Sequence, residues 1–118
     1  MASTTGTLRV QYVGLRTTPE LKAQVEAAAA NLEDFRHRLE DCALSVGRWY
    51  LHHDQGHVYR VSLEISLPGA AQPLTTKAES PRNAGPDALE PLLHEAFEVA
   101  AVRLGALLSP PSRSVALP

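Results

Sequence analysis

Apolar and polar residues alternate near the start of the chain. Leu8, Val10 and Tyr12 are separated by Arg9 and Gln11, the two-residue period of a half-buried strand. Gly14 breaks the pattern, and Thr17-Thr18-Pro19-Glu20 follows. A threonine cap, a proline in the first turn where a missing N–H costs nothing, and an acid at the positive end of the dipole together start a helix. Leu21, Val25, Ala28, Leu32, Phe35 and Leu39 then recur at steps of three and four, which predicts a helix over 19–39 with one apolar stripe. Alternation resumes at Cys42, Leu44 and Val46, a second strand over 42–49. His52-His53-Asp54-Gln55-Gly56-His57 is a polar connection suited to a hairpin loop. The clearest strand follows, with Tyr59, Val61, Leu63, Ile65 and Leu67 on one face and Arg60, Ser62, Glu64 and Ser66 on the other. A turn over 68–73 leads to a short strand in which Leu74, Thr76 and Ala78 alternate with Thr75, Lys77 and Glu79. After a loop over 80–86, a last helix begins near Asp87 as N-cap, with Pro91 in or just past its first turn. Its expected core positions are Leu92, Leu93, Val99 and Leu104.

The order is therefore β-α-β-β-β-α. Each helix has one apolar stripe and each strand one apolar face. The economical solution is an α+β fold, a two-layer sandwich in which two helices pack on one face of a four-stranded sheet. The last three strands form an antiparallel meander. The first reaches the second through a helix, so those two are parallel if adjacent. A chain of 118 residues suits one domain, here 1–108. Residues 109–118 carry three prolines and read as a flexible tail.

A hydrophobic fraction of 44% is too high for a disordered chain. No apolar run approaches the roughly 20 residues that span a bilayer, so no membrane role is expected. The N-terminus has no basic segment followed by an apolar one, hence no secretory signal is read there and a cytoplasmic location is expected. The single Cys42 allows neither an internal disulfide nor a paired-cysteine zinc site.

The chain resembles the short ribosome hibernation-promoting factors and ribosome-associated inhibitors, also known as sigma-factor modulation proteins. The resemblance lies in the opening strand Leu8-Arg9-Val10-Gln11-Tyr12, Gly14, then Thr18-Pro19 and Leu21-Lys22. It continues in the helix phase of Val25-Glu26 and Leu32-Glu33, in Ala78-Glu79-Ser80 closing the last strand, and in Leu89, Leu92 and Leu93 of the final helix. It covers roughly Leu8 to Leu108 and matches the short form, without the dimerisation domain of longer members. The resemblance implies binding to the small ribosomal subunit in the channel for messenger and transfer RNA. It also implies silencing of translation in stationary phase or stress, and no chemistry or cofactor. Lysines and arginines on the exposed sides of both helices and nearby loops would make the contact.

Charge departs from that pattern. Where the family commonly has basic residues, this chain has Ala28, Asn31 and Asp34 in the first helix and Glu95 and Glu98 in the second. Residues 19–41 hold three basic and six acidic side chains, and residues 87–108 hold one and four. The helical segments therefore carry −6 and the rest of the chain +4, within a total of −2. Acidic helices repel phosphates over a Debye length of about 8–10 Å. The basic residues left as candidates for nucleic acid are Arg9, Arg16, Lys22, Arg36, Arg38, Arg60, Lys77 and Arg82. Arg9, Arg60 and Lys77 are expected on the open face of the sheet, with Arg16, Arg48 and Arg82 in adjoining loops. Solvated charges on a sheet face that must meet water are the simpler account of the same residues.

Other residues carry less. His52, His53, His57 and Asp54 match no standard zinc spacing, and a solvated loop is the expected reading. Trp49 and Tyr50 offer rings that could stack on a base, although packing at a strand end explains them more simply. Cys42 is expected to be buried and inert, and His94 has no nucleophile placed to use it. Without a phosphate loop or hydrolase motif, no enzymatic activity is expected. Two functions follow. One is a ribosome-associated repressor that contacts the small ribosomal subunit and its RNA. The other is a repurposed domain of the same fold that binds a protein partner or forms a homodimer.

Overall fold

The structure, a computed structural model, describes residues 8–52 and 55–108. The expected tail over 109–118 lies outside the described residues. The elements are β1 (Leu8–Val13), α1 (Pro19–Ala29), a 3₁₀ helix (Ala30–Arg38), β2 (Asp41–Tyr50), β3 (His57–Ser66), β4 (Leu74–Glu79), a 3₁₀ turn (Pro86–Ala88) and α2 (Leu89–Leu108). The sheet order is β1-β2-β3-β4. β1 pairs parallel with β2, and the other two pairs are antiparallel. This is the α+β architecture the alternation predicts.

One core holds the layers together. Cys42, Leu44 and Val46 of β2, Val61, Leu63 and Ile65 of β3, and Leu74 and Ala78 of β4 meet Leu21, Val25 and Ala28 of α1 and the buried side of α2. Thr76 joins the layers through its buried hydroxyl, which donates to the Ala96 carbonyl at 3.0 Å. Thr18 caps α1 as expected, its Oγ1 accepting from the Leu21 N–H at 3.1 Å.

Three expectations change. The first helix does not stay α-helical to Leu39. It tightens into the 3₁₀ segment after Ala29, where the Asn31 side-chain amide donates to the Ala28 carbonyl at 3.1 Å, a local bond that competes with continued α-helix. The last helix is not capped by Asp87. Gly85 precedes the turn, and Pro86, with its φ already helical, starts it. Val99 is not core but 43% exposed, and the core position in that turn is the fully buried Phe97. Leu89, Leu92, Leu93, Ala96, Phe97, Ala100 and Leu104 form the buried stripe, and Val99 falls about 100° to one side of Ala100.

Candidate nucleic-acid interface

The open face of the sheet follows from register. Arg9 stands opposite Ala43, and Ala43 opposite Glu64. Gly47 stands opposite Arg60, and Arg60 opposite Glu79. Arg9, Arg60 and Lys77 therefore share this face with Asp41, Glu64 and Glu79. The Arg9 guanidinium binds both Asp41 carboxylate oxygens, at 3.2 Å and 2.5 Å, and Arg60 Nε donates to Glu79 at 2.5 Å. The hydrogen bond from Arg9 holds the Asp41 carboxyl below the ordinary aspartate value. The Trp49 indole lies over Gly47, so close that a Cβ there would come within 2.7 Å of the ring. Arg60 covers the same indole at 5.3 Å. Trp49, Arg60 and Glu79 border a shallow groove of about 420 Å³ with Ser45, Ser62 and Lys77. Two of the three expected cations are thus held in ion pairs on a face that carries as many carboxylates.

The helical candidates are dispersed. Lys22 sits in the first turn of α1. Arg36 pairs with Glu33 at 2.7 Å, and Arg38 donates to the Leu108 carbonyl at 3.3 Å near the end of α2. Around them Glu20, Glu26, Glu33, Asp34, Glu90, Glu95 and Glu98 are all exposed.

Topology gathers a different set. β1, β2 and β4 run the same way and β3 runs opposite. One end of the sheet therefore collects the ends of β1, β2 and β4, the start of β3 and the start of both helices. Arg16 and Arg82 are exposed in the connections there. Arg48 is not in a loop, as the sequence suggests, but in β2 opposite Tyr59. It alternates with Trp49, so it faces the helix side, as does Tyr50. Its guanidinium lies 5.2 Å from the centre of the Tyr50 ring, and its buried Nε has no hydrogen-bond partner among the described residues. The N-termini of α1 and α2 add positive partial charge at the same end, and the exposed Glu20, Asp87 and Glu90 at the helix starts add negative charge there.

The hairpin at this end is latched. The His57 N–H donates to Asn83 Oδ1 at 3.1 Å, and the Asn83 N–H donates back to the His57 carbonyl at 2.7 Å. Asn83 adopts φ 61°, a region asparagine tolerates. Gly56, at φ 97°, leaves the space for it, because a Cβ there would lie 2.1 Å from Asn83 Oδ1. The His57 Nε2–H donates to the Ala84 carbonyl at 2.9 Å, and Ser80 Oγ accepts from the Tyr59 N–H at 2.9 Å. His57 then meets Tyr50 and Tyr59 edge-on, at 6.2 Å and 5.3 Å between ring centres. Of the histidine loop, His53 and Asp54 lie outside the described residues. The Arg48–Tyr50–His57 grouping was readable only by carrying the alternation of β2 one residue beyond Trp49.

Cys42 is buried, and burial pushes its thiol up to about 12. Among the described residues no cluster of three or more histidine, cysteine or acidic side chains is placed to hold a metal, and no helix is long and apolar enough to cross a membrane.

No protein-family model matches the sequence, and no curated protein matches it. Solved structures do match. A ribosomal subunit interface protein from Coxiella burnetii superposes with a TM-score of 0.60 at 14% identity, over 86% of this chain and 99% of that one. The N-terminal domain of Protein Y from Thermus thermophilus superposes with a TM-score of 0.56 at 15% identity, over 82% and 93%. At the level of the fold these likenesses support the resemblance to hibernation-promoting factors: the chain shares its fold with a ribosomal subunit interface protein and with the N-terminal domain of Protein Y.

Proposed function

We propose that this chain is a diverged member of the hibernation-promoting factor family, a non-catalytic, cytoplasmic protein that binds the small ribosomal subunit and represses translation in stationary phase or stress. The observation that carries the reading is the match over 99% of a ribosomal subunit interface protein, so the likeness covers that whole domain. Arg16, Arg48 and Arg82, at the end of the sheet where both helices begin, are the cations this reading assigns to ribosomal RNA, beside the exposed Glu20, Asp87 and Glu90 of the first helical turns. Phosphate contacts make such binding salt-dependent. In sucrose gradients of stationary-phase lysate the protein is expected with small-subunit-containing particles at low salt and in the top fractions at high salt. Residence in the top fractions at every salt concentration would refute the proposal.

A second reading rests on α2. Val99, Val102 and Leu107 are 43%, 72% and 61% exposed beside Glu95 and Glu98, a surface suited to a protein partner or a second copy of the chain. A dimer in gel filtration that never sediments with ribosomes would favour it.

A further inference from the structure

We infer that Tyr50 is a stacking site for an unpaired nucleobase of an RNA strand, with Arg48 beside the ring and Arg82 in the loop that latches the hairpin. The inference rests on the proposed RNA-facing role of this end and names the feature of RNA that the end selects.

Tyr50 is 69% exposed, although its strand neighbours Trp49 and Arg48 are partly covered. The two adjacent rings differ in what occupies them. Trp49 lies against Gly47 and beneath Arg60, so its ring is partly covered. Tyr50 has the Arg48 guanidinium at 5.2 Å and His57 at its side, inclined 65°. The exposed remainder of the ring leaves room for another flat ring. Every base has a π-face, so stacking of this kind tolerates any sequence. A duplex, whose bases already stack on one another, cannot use it.

The surroundings fit a strand rather than a free base. Arg48 makes no ion pair among the described residues, and its Nε is desolvated without a hydrogen-bond acceptor. A phosphate neighbouring a stacked base would meet this guanidinium beside the ring. Arg82 is exposed, its Nη1 donates to Gln55 Oε1 at 3.4 Å, and it lies next to Asn83, which latches the hairpin. Because Asn83, Ser80 and Gly56 tie the hairpin to the loop after β4, Tyr50 is held in place before any ligand arrives, which lowers the ordering cost of binding.

The test uses the full chain and a short, unstructured, fluorescein-labelled RNA of mixed sequence, with an RNA duplex as control. Tyr50→Phe is expected to bind the single strand like wild type. Tyr50→Leu should bind it about tenfold or more weakly, with an unchanged slope of log K against log salt and unchanged binding to the duplex. Arg82→Gln should instead flatten the salt slope by about 0.7. Equal single-strand affinity for Tyr50→Leu and Tyr50→Phe overturns the inference, as does a wild-type protein that binds no RNA. Ribosome sedimentation of the same variants separates the two claims. Wild-type sedimentation with no effect of Tyr50→Leu on single strands leaves the ribosome reading standing and removes the stacking site. A Tyr50-dependent loss on single strands, in a protein that never sediments with ribosomes, does the reverse.

Discussion

Cys42 shows how one buried atom ties stability to pH. Its thiol stays neutral in the fold because burial raises its pKa to about 12, with the nearby Asp41 charge adding to the effect. A free thiol titrates near 8.5. The folded value lies above the unfolded one, so the stabilisation is complete below about pH 8.5 and is lost as the pH climbs toward 12. Native protein is therefore expected to react slowly with iodoacetamide at pH 8 and rapidly once unfolded in urea. The urea midpoint should fall with rising pH more steeply for wild type than for Cys42→Ala. Native alkylation as fast as that of free cysteine would contradict this. The Asp41 carboxyl, held low by Arg9, acts at the other end of the scale: its contribution is present above the ordinary aspartate range and fades as pH falls through its folded value. That pair is solvent-exposed, and exposed pairs contribute little.

Within the elements, what was legible and what was not have separate physical causes. The strands were legible because Leu8, Val10 and Tyr12, or Val61, Leu63 and Ile65, alternate without interruption, and Thr18-Pro19 marks the start of α1 by chemistry alone. The exchange of Val99 for Phe97 was not legible, because a helix with apolar residues over a wide arc does not reveal which edge meets the sheet. The grouping of Arg16, Arg48 and Arg82 was hidden for another reason: it draws on the end of β2 and on the connections after β1 and β4, whose proximity depends on β1 pairing parallel with β2. Gly47 is a third case, a strand glycine whose meaning emerges only with the Trp49 indole above it. A Cβ at Gly47 meets the indole and the Val13 carbonyl oxygen, each at 2.7 Å, and the carbonyl belongs to a paired strand that cannot yield. Gly47→Ala should cost about 1–3 kcal/mol in urea unfolding. It should also shift the emission of the chain's single tryptophan as the ring is displaced. An unchanged spectrum and midpoint would show that the indole does not depend on that glycine.

For the molecule as a whole, the separation of charge matters more than its sum. A total of −2 conceals acidic outer helix surfaces and an end, where both helices begin, at which Arg16, Arg48 and Arg82 stand among the exposed Glu20, Asp87 and Glu90. Glu95 and Glu98 are exposed farther along α2, and their charge repels phosphates that come within a Debye length. If RNA docks where both helices begin, the double substitution Glu95→Gln with Glu98→Gln should strengthen ribosome association several-fold at low salt. The gain should vanish near 1 M salt, where the Debye length shrinks to about 3 Å. A gain that persists at high salt, measured by the same gradients, would mean that the carboxylates act through direct contact and not through the long-range field.

The parallel β1–β2 pair also sets the order in which the chain assembles. β2, β3 and β4 are neighbours in sequence as well as in the sheet, so their contacts close over short loops. β1 finds its partner only across the whole of α1 and the 3₁₀ segment, and long closures cost more entropy and form more slowly. During synthesis β1 leaves the exit tunnel first, yet it must wait unpaired until β2 has emerged. The strand that opens the fold is thus the one that completes the sheet, and the end that carries Arg16, Arg48 and Arg82 is complete only after it has docked.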